Sequence, residues 1–185
     1  MKNRFIRGSS MSEKINTVKP FKALHYNPEK VENIGDCLSK PYDVISPTQQ
    51  DAYYEKHPNN VIRLILNKIE ETDAGEDNRY TRARDFMKAW KDEGILTQSR
   101  HPWYFVYEES FVLNGKDMTL TGFIGLVHLS EYGEGKVLPH EKVLKNPVED
   151  RIKLTETANT QFEYIWGVYR DQESTIDTIL IEAKK

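Results

Sequence analysis

The clearest pattern in the chain is an alternation. Trp103 to Leu113 alternates apolar and polar positions and is rich in aromatic residues, Asn114-Gly115 supplies a two-residue turn, and Lys116 to Leu129 returns, which predicts an antiparallel hairpin. Helical spacing takes over between Asp77 and about Glu93. There Tyr80, Ala83, Phe86, Met87 and Trp90 recur on one face, with Arg79, Arg82, Arg84, Lys88 and Lys91 largely around the other. Asp77 is the expected cap of this core-packing helix, and Gly94 its stop.

The remaining elements follow from turn and cap chemistry. Val18 to Tyr26 reads as a first strand, with Pro20 tolerated near a strand start or on an edge. Glu29 to Leu38 suits a short helix, and Lys40 to Ile45 must be irregular because Pro41 keeps Lys40 out of the helical region. Ser46-Pro47 are the N-cap and first residue of a helix reaching about His57, broken by Pro58-Asn59-Asn60. The apolar run Val61 to Leu66 is expected to be a buried strand, followed by a polar loop over 67–76. Asn146, Pro147 and Glu149 fit the N-cap, N1 and N3 positions of a helix ending near Asn159. Tyr164 to Tyr169 reads as another strand, and Asp171 as the cap of a last helix with Ile176, Ile179 and Leu180 on one face. The sum is an α+β fold: a mixed, mainly antiparallel sheet with a central hairpin and packed helices, in a single domain over residues 17–185. Residues 1–16 are expected to be a disordered leader, or to reflect a start upstream of Met11.

Composition narrows the class. Hydrophobic residues at 38%, aromatics at 11% and charged residues at 30% suit a folded globular chain rather than a disordered one. Twenty-six Lys and Arg against 29 Asp and Glu give a formal charge of -3 with the basic residues scattered, which argues against an obligate nucleic-acid coat. The single cysteine, Cys37, offers neither an internal disulfide nor a cysteine metal site and fits a reducing, cytoplasmic setting. No apolar run has the length of a signal peptide or membrane span.

Chemistry concentrates in Val137 to Arg151. This stretch holds His140, three carboxylates (Glu141, Glu149, Asp150), Lys142, Lys145 and Arg151, punctuated by Pro139 and Pro147. His140 and Glu141, in a loop after a proline, suit a general acid or base, and Glu141 a divalent cation; the alternative is a surface loop that turns the chain. Lys142 and Lys145 precede a helix N-terminus, a place that favours anions, although Pro147 removes an amide and Glu149 and Asp150 bring negative charge. Glu149 is explained by capping. Asp150 and Arg151 project about 100° apart, so they are not expected to serve as one local pair, and at least one needs a partner elsewhere. Asp43 fits an Asx turn. Arg63, inside an apolar run, calls for a carboxylate, a phosphate or a water-filled cleft. His140, Glu141, Asp150, Arg151, Arg63 and Asp43 are therefore expected to converge on one cleft.

Several ordered motifs carry a family resemblance. Pro20-Phe21-Lys22-Ala23 with Tyr26, Pro41-Tyr42-Asp43-Val44-Ile45-Ser46, His57-Pro58-Asn59-Asn60-Val61-Ile62-Arg63-Leu64, Arg79-Tyr80, Gly122-Phe123-Ile124, Val137 to Lys142, Asp150-Arg151 and Ala158-Asn159 together resemble the domain-of-unknown-function family ten-fifteen of bacteria and archaea, over roughly residues 18 to 171. Val143, Val148 and Trp166 depart from that pattern, and the absent basic residue at 148 weakens a phosphate argument at that helix. The resemblance implies a distant ParB/sulfiredoxin-like fold and a longer domain of which this chain is the N-terminal portion. The family's Gly-His-His-Arg run is not found here.

The resemblance implies a superfamily with nucleotide-binding, DNA-binding and serine-kinase members. Carboxylates beside lysines and arginine, the groups phosphoryl transfer uses, point to phosphate or nucleotide handling, in the form of a kinase of a small serine-like metabolite or a fragment of one, with ATP or ADP and magnesium as the expected cofactors. The site residues would be His140, Glu141 and Asp150 as catalytic groups, Asp43, Asn60, Arg63, Lys142 and Arg151 around phosphate or substrate, and Glu141 on the metal. The alternative is a ParB-like DNA-binding or partner-binding module without catalysis. The expected partners are a small phosphorylated ligand or nucleotide and the missing C-terminal half of the domain, with nucleic acid less favoured and no membrane.

Overall fold

The computed structural model describes residues 17–131, 137–139 and 145–184 of the 185-residue chain. Among these the fold is α+β. In chain order the elements are β1 (Val18–Lys19), β2 (Leu24–Tyr26), α1 (Pro47–Lys56), α2 (Ile62–Ile65), α3 (Arg79–Asp92), β3 (Leu96–Gln98), β4 (Phe105–Leu113), β5 (Lys116–Ile124), β6 (Leu126–Val127), α4 (Lys145–Ala158) and α5 (Thr175–Ala183).

The β4–β5 hairpin forms as its turn chemistry dictates. Asn114 and Gly115 both take positive φ, at 52° and 75°, and nine residue pairs run in register from Leu113↔Lys116 to Phe105↔Ile124. The long first strand expected over Val18 to Tyr26 divides instead into β1 and β2. Its start pairs with β6, Phe21 bridges Trp103, and its end pairs with β3. Three chain segments, 17–26, 96–113 and 116–128, thus each pair with both of the others and close a small β junction. Gly125 sits at its centre, where an added Cβ would lie 2.9 Å from Val18 Cγ1 and 3.1 Å from the Tyr104 ring.

The helices pack beside this junction. Leu64, Ile65, Met87, Trp90 and Leu96 form the core cluster, with Tyr26, Phe86 and Phe162 against it. The α3 stripe read from the sequence is the buried one, since Ala83, Met87 and Trp90 are its buried residues, while Asn78 rather than Asp77 caps the helix. Ser46 caps α1 and Pro47 opens it, with a reciprocal bond to Gln49, as the sequence predicts. Asp171 also behaves as a cap, accepting the amides of Thr175 and Asp177, although Ser174 holds the N-cap position of α5.

Three expected elements change character. Val61 to Leu66 is not a strand: Ile62–Ile65 forms the short helix α2, because the buried Asn60 side chain accepts the Ile62 amide and starts a helical turn. Glu29 to Leu38 is a turn followed by a 3₁₀ turn over Ile34–Asp36, with Asn33 capping the latter. Tyr164 to Tyr169 makes no ladder. By register Tyr107 and Phe123 lie on opposite faces of the hairpin, and Trp166 meets Tyr107 while Tyr169 meets Phe123, so the segment straddles the hairpin rather than running beside it. In addition, α4 already includes Lys145, so Asn146 lies within the helix instead of capping it.

Gly125 and Gly122 give a paired test. Gly125→Ala is expected to lower stability by about 1–3 kcal/mol, the usual cost of overpacking. Gly122→Ala, whose Cβ would meet nothing within 4 Å, is expected to be neutral or mildly stabilising. Denaturant midpoints of the two variants check this directly.

Candidate functional site

The helices α3 and α4 each carry one charge at the N-terminal end of a buried stripe. Arg79, Ala83 and Met87 follow one another at intervals of four residues, as do Asp150, Leu154 and Ala158, and the two stripes pack together. The charges meet at the same end of the helix pair. Arg79 Nη2 is ion-paired with Asp150 Oδ1, and the Tyr80 hydroxyl donates to the same oxygen at 2.7 Å. The other carboxylate oxygen, Oδ2, accepts Arg151 Nε at 3.0 Å and Nη2 at 2.5 Å. One carboxylate therefore serves two guanidinium groups and a phenol.

Arg151 extends the network. Its Nη1 donates to the Ile65 carbonyl at 2.9 Å and to Glu163 Oε1 at 3.1 Å, and its guanidinium lies 3.9 Å from the centre of the Tyr42 ring. Asp43, beside that ring in a 3₁₀ turn over Tyr42–Val44, adds negative potential at Glu163. The two acids respond oppositely. Burial pushes the Asp150 carboxyl up, but the hydrogen bonds from Arg151 and Tyr80 and the two Arg charges outweigh it and hold Asp150 below its ordinary range. At Glu163 burial wins over Arg151, reinforced by Asp43 and Asp150, and the carboxyl is raised.

Next to this network is an open cleft of about 430 Å³. It is lined by Ile45, Ser46, Pro47, Gln50 and Asp51 from the start of α1, by Leu66, Asn67, Lys68 and Ile69, and by Arg79. Gln50 Nε2 donates to the Leu66 carbonyl at 2.7 Å and joins the two walls. Arg82 fixes the loop, donating to the Lys68 carbonyl at 2.7 Å and pairing with Asp73. Arg79 marks the α4 side, because it also borders the small cavity lined by Tyr80, Arg151 and Leu154. Nη2 makes its hydrogen bonds, to Asp150 and the Tyr80 hydroxyl, and the guanidinium lies 4.8 Å from the centre of the Tyr80 ring; among the described residues its Nε and Nη1 donate no hydrogen bond.

The residues singled out in the sequence fall into three groups. Asp150 and Arg151 come together, with Asp43 close enough to act on Glu163. Contrary to expectation they do form a local pair, because the long Arg151 stem folds back under the Tyr42 ring, and Asp150 finds its further partners on α3. Asn60 and Arg63 organise backbone instead. Asn60 is fully buried, with its amide donating to the carbonyls of Asp36 and Leu38. Arg63 needs no carboxylate: it donates to the carbonyls of His57 and Tyr54 at 2.9 and 2.8 Å and stacks on the Tyr54 ring, while burial lowers its pKa. His140, Glu141 and Lys142 lie outside the described residues, and the convergence expected for His140 and Glu141 with them. Among the described residues no cluster of three or more His, Cys, Asp or Glu is arranged to hold a metal.

The sequence pattern does not single out Arg79, Tyr80 or Glu163 as site residues, and it puts Arg79 on the face of α3 away from the apolar stripe. The signal was present as a charge on each of two apolar stripes at four-residue spacing. Recognising it required knowing that the two stripes face each other.

The opposite shifts predict a two-limbed pH dependence. Asp150, with its pKa depressed on folding, contributes stability that is present above the unfolded carboxyl pKa and lost as pH falls through the folded one. Glu163, with its pKa raised, makes the folded state hold a proton longer, so stability falls as pH rises from the unfolded toward the folded value. Asp150→Asn is expected to remove the acid limb and to cost about 2 kcal/mol near neutrality, the scale of hydrogen bonds to a charged group. Glu163→Gln is expected to flatten the second limb. Urea denaturation between pH 3 and 8 measures both.

Neither curated proteins nor solved structures provide a match. Among the described residues no helix is long and apolar enough to cross a membrane. The family described as "Protein of unknown function (DUF1015)" matches residues 18–185, and the chain belongs to that family.

Proposed function

We propose that the chain binds a small phosphate-bearing ligand, with nucleotides in the candidate class, in the cleft beside Arg79. The carrying observation is Arg79 in the cleft lining, with Nη2 held by Asp150 and, among the described residues, no hydrogen bond from Nε or Nη1. A guanidinium anchored through one nitrogen keeps N–H donors for single charge-assisted hydrogen bonds to phosphate oxygens. The helix dipoles also favour an anion. Arg79 and Pro47 are the first residues of α3 and α1, so two helix N-termini border one cleft, their amides capped by Asn78 and Ser46, while the Lys68 charge is balanced by Asp51. Asp150 does not cancel Arg79 outright, since the same carboxylate is shared with Arg151 and Tyr80.

Phosphoryl transfer to a hydroxylated metabolite is the finer form of this reading. It would draw on ATP or ADP with magnesium, and on His140, Glu141 and Lys142 as acid, base or metal group and phosphate partner. Arg151 and Arg63 are committed to internal contacts. Their proposed contribution is therefore to hold the frame of the cleft.

Isothermal titration calorimetry with inorganic phosphate, ADP and ADP plus magnesium tests the reading. Saturable binding is expected, weakened at least about tenfold by Arg79→Ala, the size of one or two charge-assisted hydrogen bonds. Arg79→Lys, which keeps the charge and loses the planar set of N–H donors, is expected to fall between, and Lys88→Ala on the exposed side of α3 to leave affinity unchanged. No binding of any of these compounds would overturn the proposal.

A further inference from the structure

We infer that the ligand of this cleft is a hydroxylated phosphate ester, anchored at Arg79 through phosphate and read at Asp51 through a hydroxyl. This rests on the phosphate reading of the same cleft and adds the chemistry of the rest of the ligand. A bare phosphate would use the Arg79 side and leave the Asp51 side and the apolar lining in water. The cleft volume falls in the range of small-molecule sites, with room for a body beyond the phosphate.

Asp51 decides what that body carries. Its Oδ1 is ion-paired with Lys68 Nζ, while among the described residues Oδ2 accepts no hydrogen bond, and the side chain is 59% exposed. An ionised carboxylate is acceptor-only, so a ligand group facing it must be a donor. Lys68 already supplies the cation at Asp51 and is held there, its amide accepted by the Tyr54 hydroxyl at 3.1 Å and its ammonium 4.8 Å from the Tyr54 ring centre. Because Lys68 already balances the Asp51 charge, a neutral hydroxyl completes the site without adding a second cation beside the ammonium.

Ile69 supplies the third contact. It is 74% exposed on the cleft lining, its loop is fixed through the Arg82 bond to the Lys68 carbonyl, and it joins Ile45, Pro47 and Leu66 in offering apolar surface to the carbon skeleton of the ester.

Calorimetry on the full chain with inorganic phosphate, n-propyl phosphate, ribose 5-phosphate and 2-aminoethyl phosphate separates the terms. Ribose 5-phosphate is expected to bind at least about tenfold tighter than propyl phosphate, consistent with a hydroxyl bonded to a charged acceptor. Aminoethyl phosphate should gain nothing over the propyl ester. Asp51→Asn, which also releases Lys68, should close the gap between the ribose and propyl esters while any change in phosphate affinity is shared by both esters, and Ile69→Ser should weaken the esters while sparing inorganic phosphate. Equal binding of the ribose and propyl esters by the unmodified chain, or a gap that survives in a folded Asp51→Asn variant, would overturn the hydroxyl subsite and leave the phosphate reading intact. Failure of all four compounds, inorganic phosphate included, would overturn both.

Discussion

The carboxylate of Asp150 is the constraint on which the helical half of the molecule depends. It is only partly exposed and stands at the head of the apolar stripe by which α4 packs on α3, a position where an unpaired charge would be costly. Tyr80 and Arg79 from α3 occupy one oxygen and Arg151 the other. Through Arg151 the same group reaches the Ile65 carbonyl on α2, the Tyr42 ring, and Glu163 beyond the end of α4. Helix packing alone would allow α3 and α4 to slide by a turn; pairing Arg79 at the start of α3 with Asp150 in the first half of α4 fixes the register. The energetic return is modest and the geometric return large, as is usual for shared, half-buried ion pairs.

Two other devices work on the same logic of ordering loops by satisfying backbone groups. Asn60 uses its amide on two carbonyls and its oxygen on the Ile62 amide, holding the chain around Cys37 against the start of α2. Arg82 binds the Lys68 carbonyl and Asp73, so the loop that borders the cleft is held by a helix side chain rather than by its own turns. On the β side the corresponding device is steric: Gly125 leaves room for the segments that carry Val18 and Tyr104 to approach where the three strand segments close on one another. At the cleft itself, Gln50 joins the two walls through the Leu66 carbonyl, Arg82 holds the loop, and the Asp150 network orients Arg79.

Much of the fold was legible in the sequence wherever the determining interaction is local. The Asn114-Gly115 turn, the Ser46-Pro47 start, the α3 stripe and the Gly94 stop, with φ at 72°, all rest on neighbours within a few residues. Errors came where a distant or side-chain partner decides. Val61 to Leu66 has the composition of a buried strand, and Asn60 turns it into a helix; Tyr164 to Tyr169 has the pattern of a strand, but its rings meet both faces of the hairpin and it forms no ladder. The site shows the same division. Asp150 and Arg151 stood out as charges needing partners, whereas Arg79 looked like a solvent-facing residue until α4 was packed over its stripe.

Central to the cleft is the claim that Asp150 and Arg79 act as one unit in setting the α3–α4 contact. A double-mutant cycle on unfolding free energy, with Arg79→Gln, Asp150→Asn and the pair, measures that coupling at pH 7. The shared carboxylate predicts an interaction energy of about 1 kcal/mol or more, within the range for residues in one network. Additivity of the two substitutions within about 0.3–0.5 kcal/mol, the behaviour of independent sites, would contradict it.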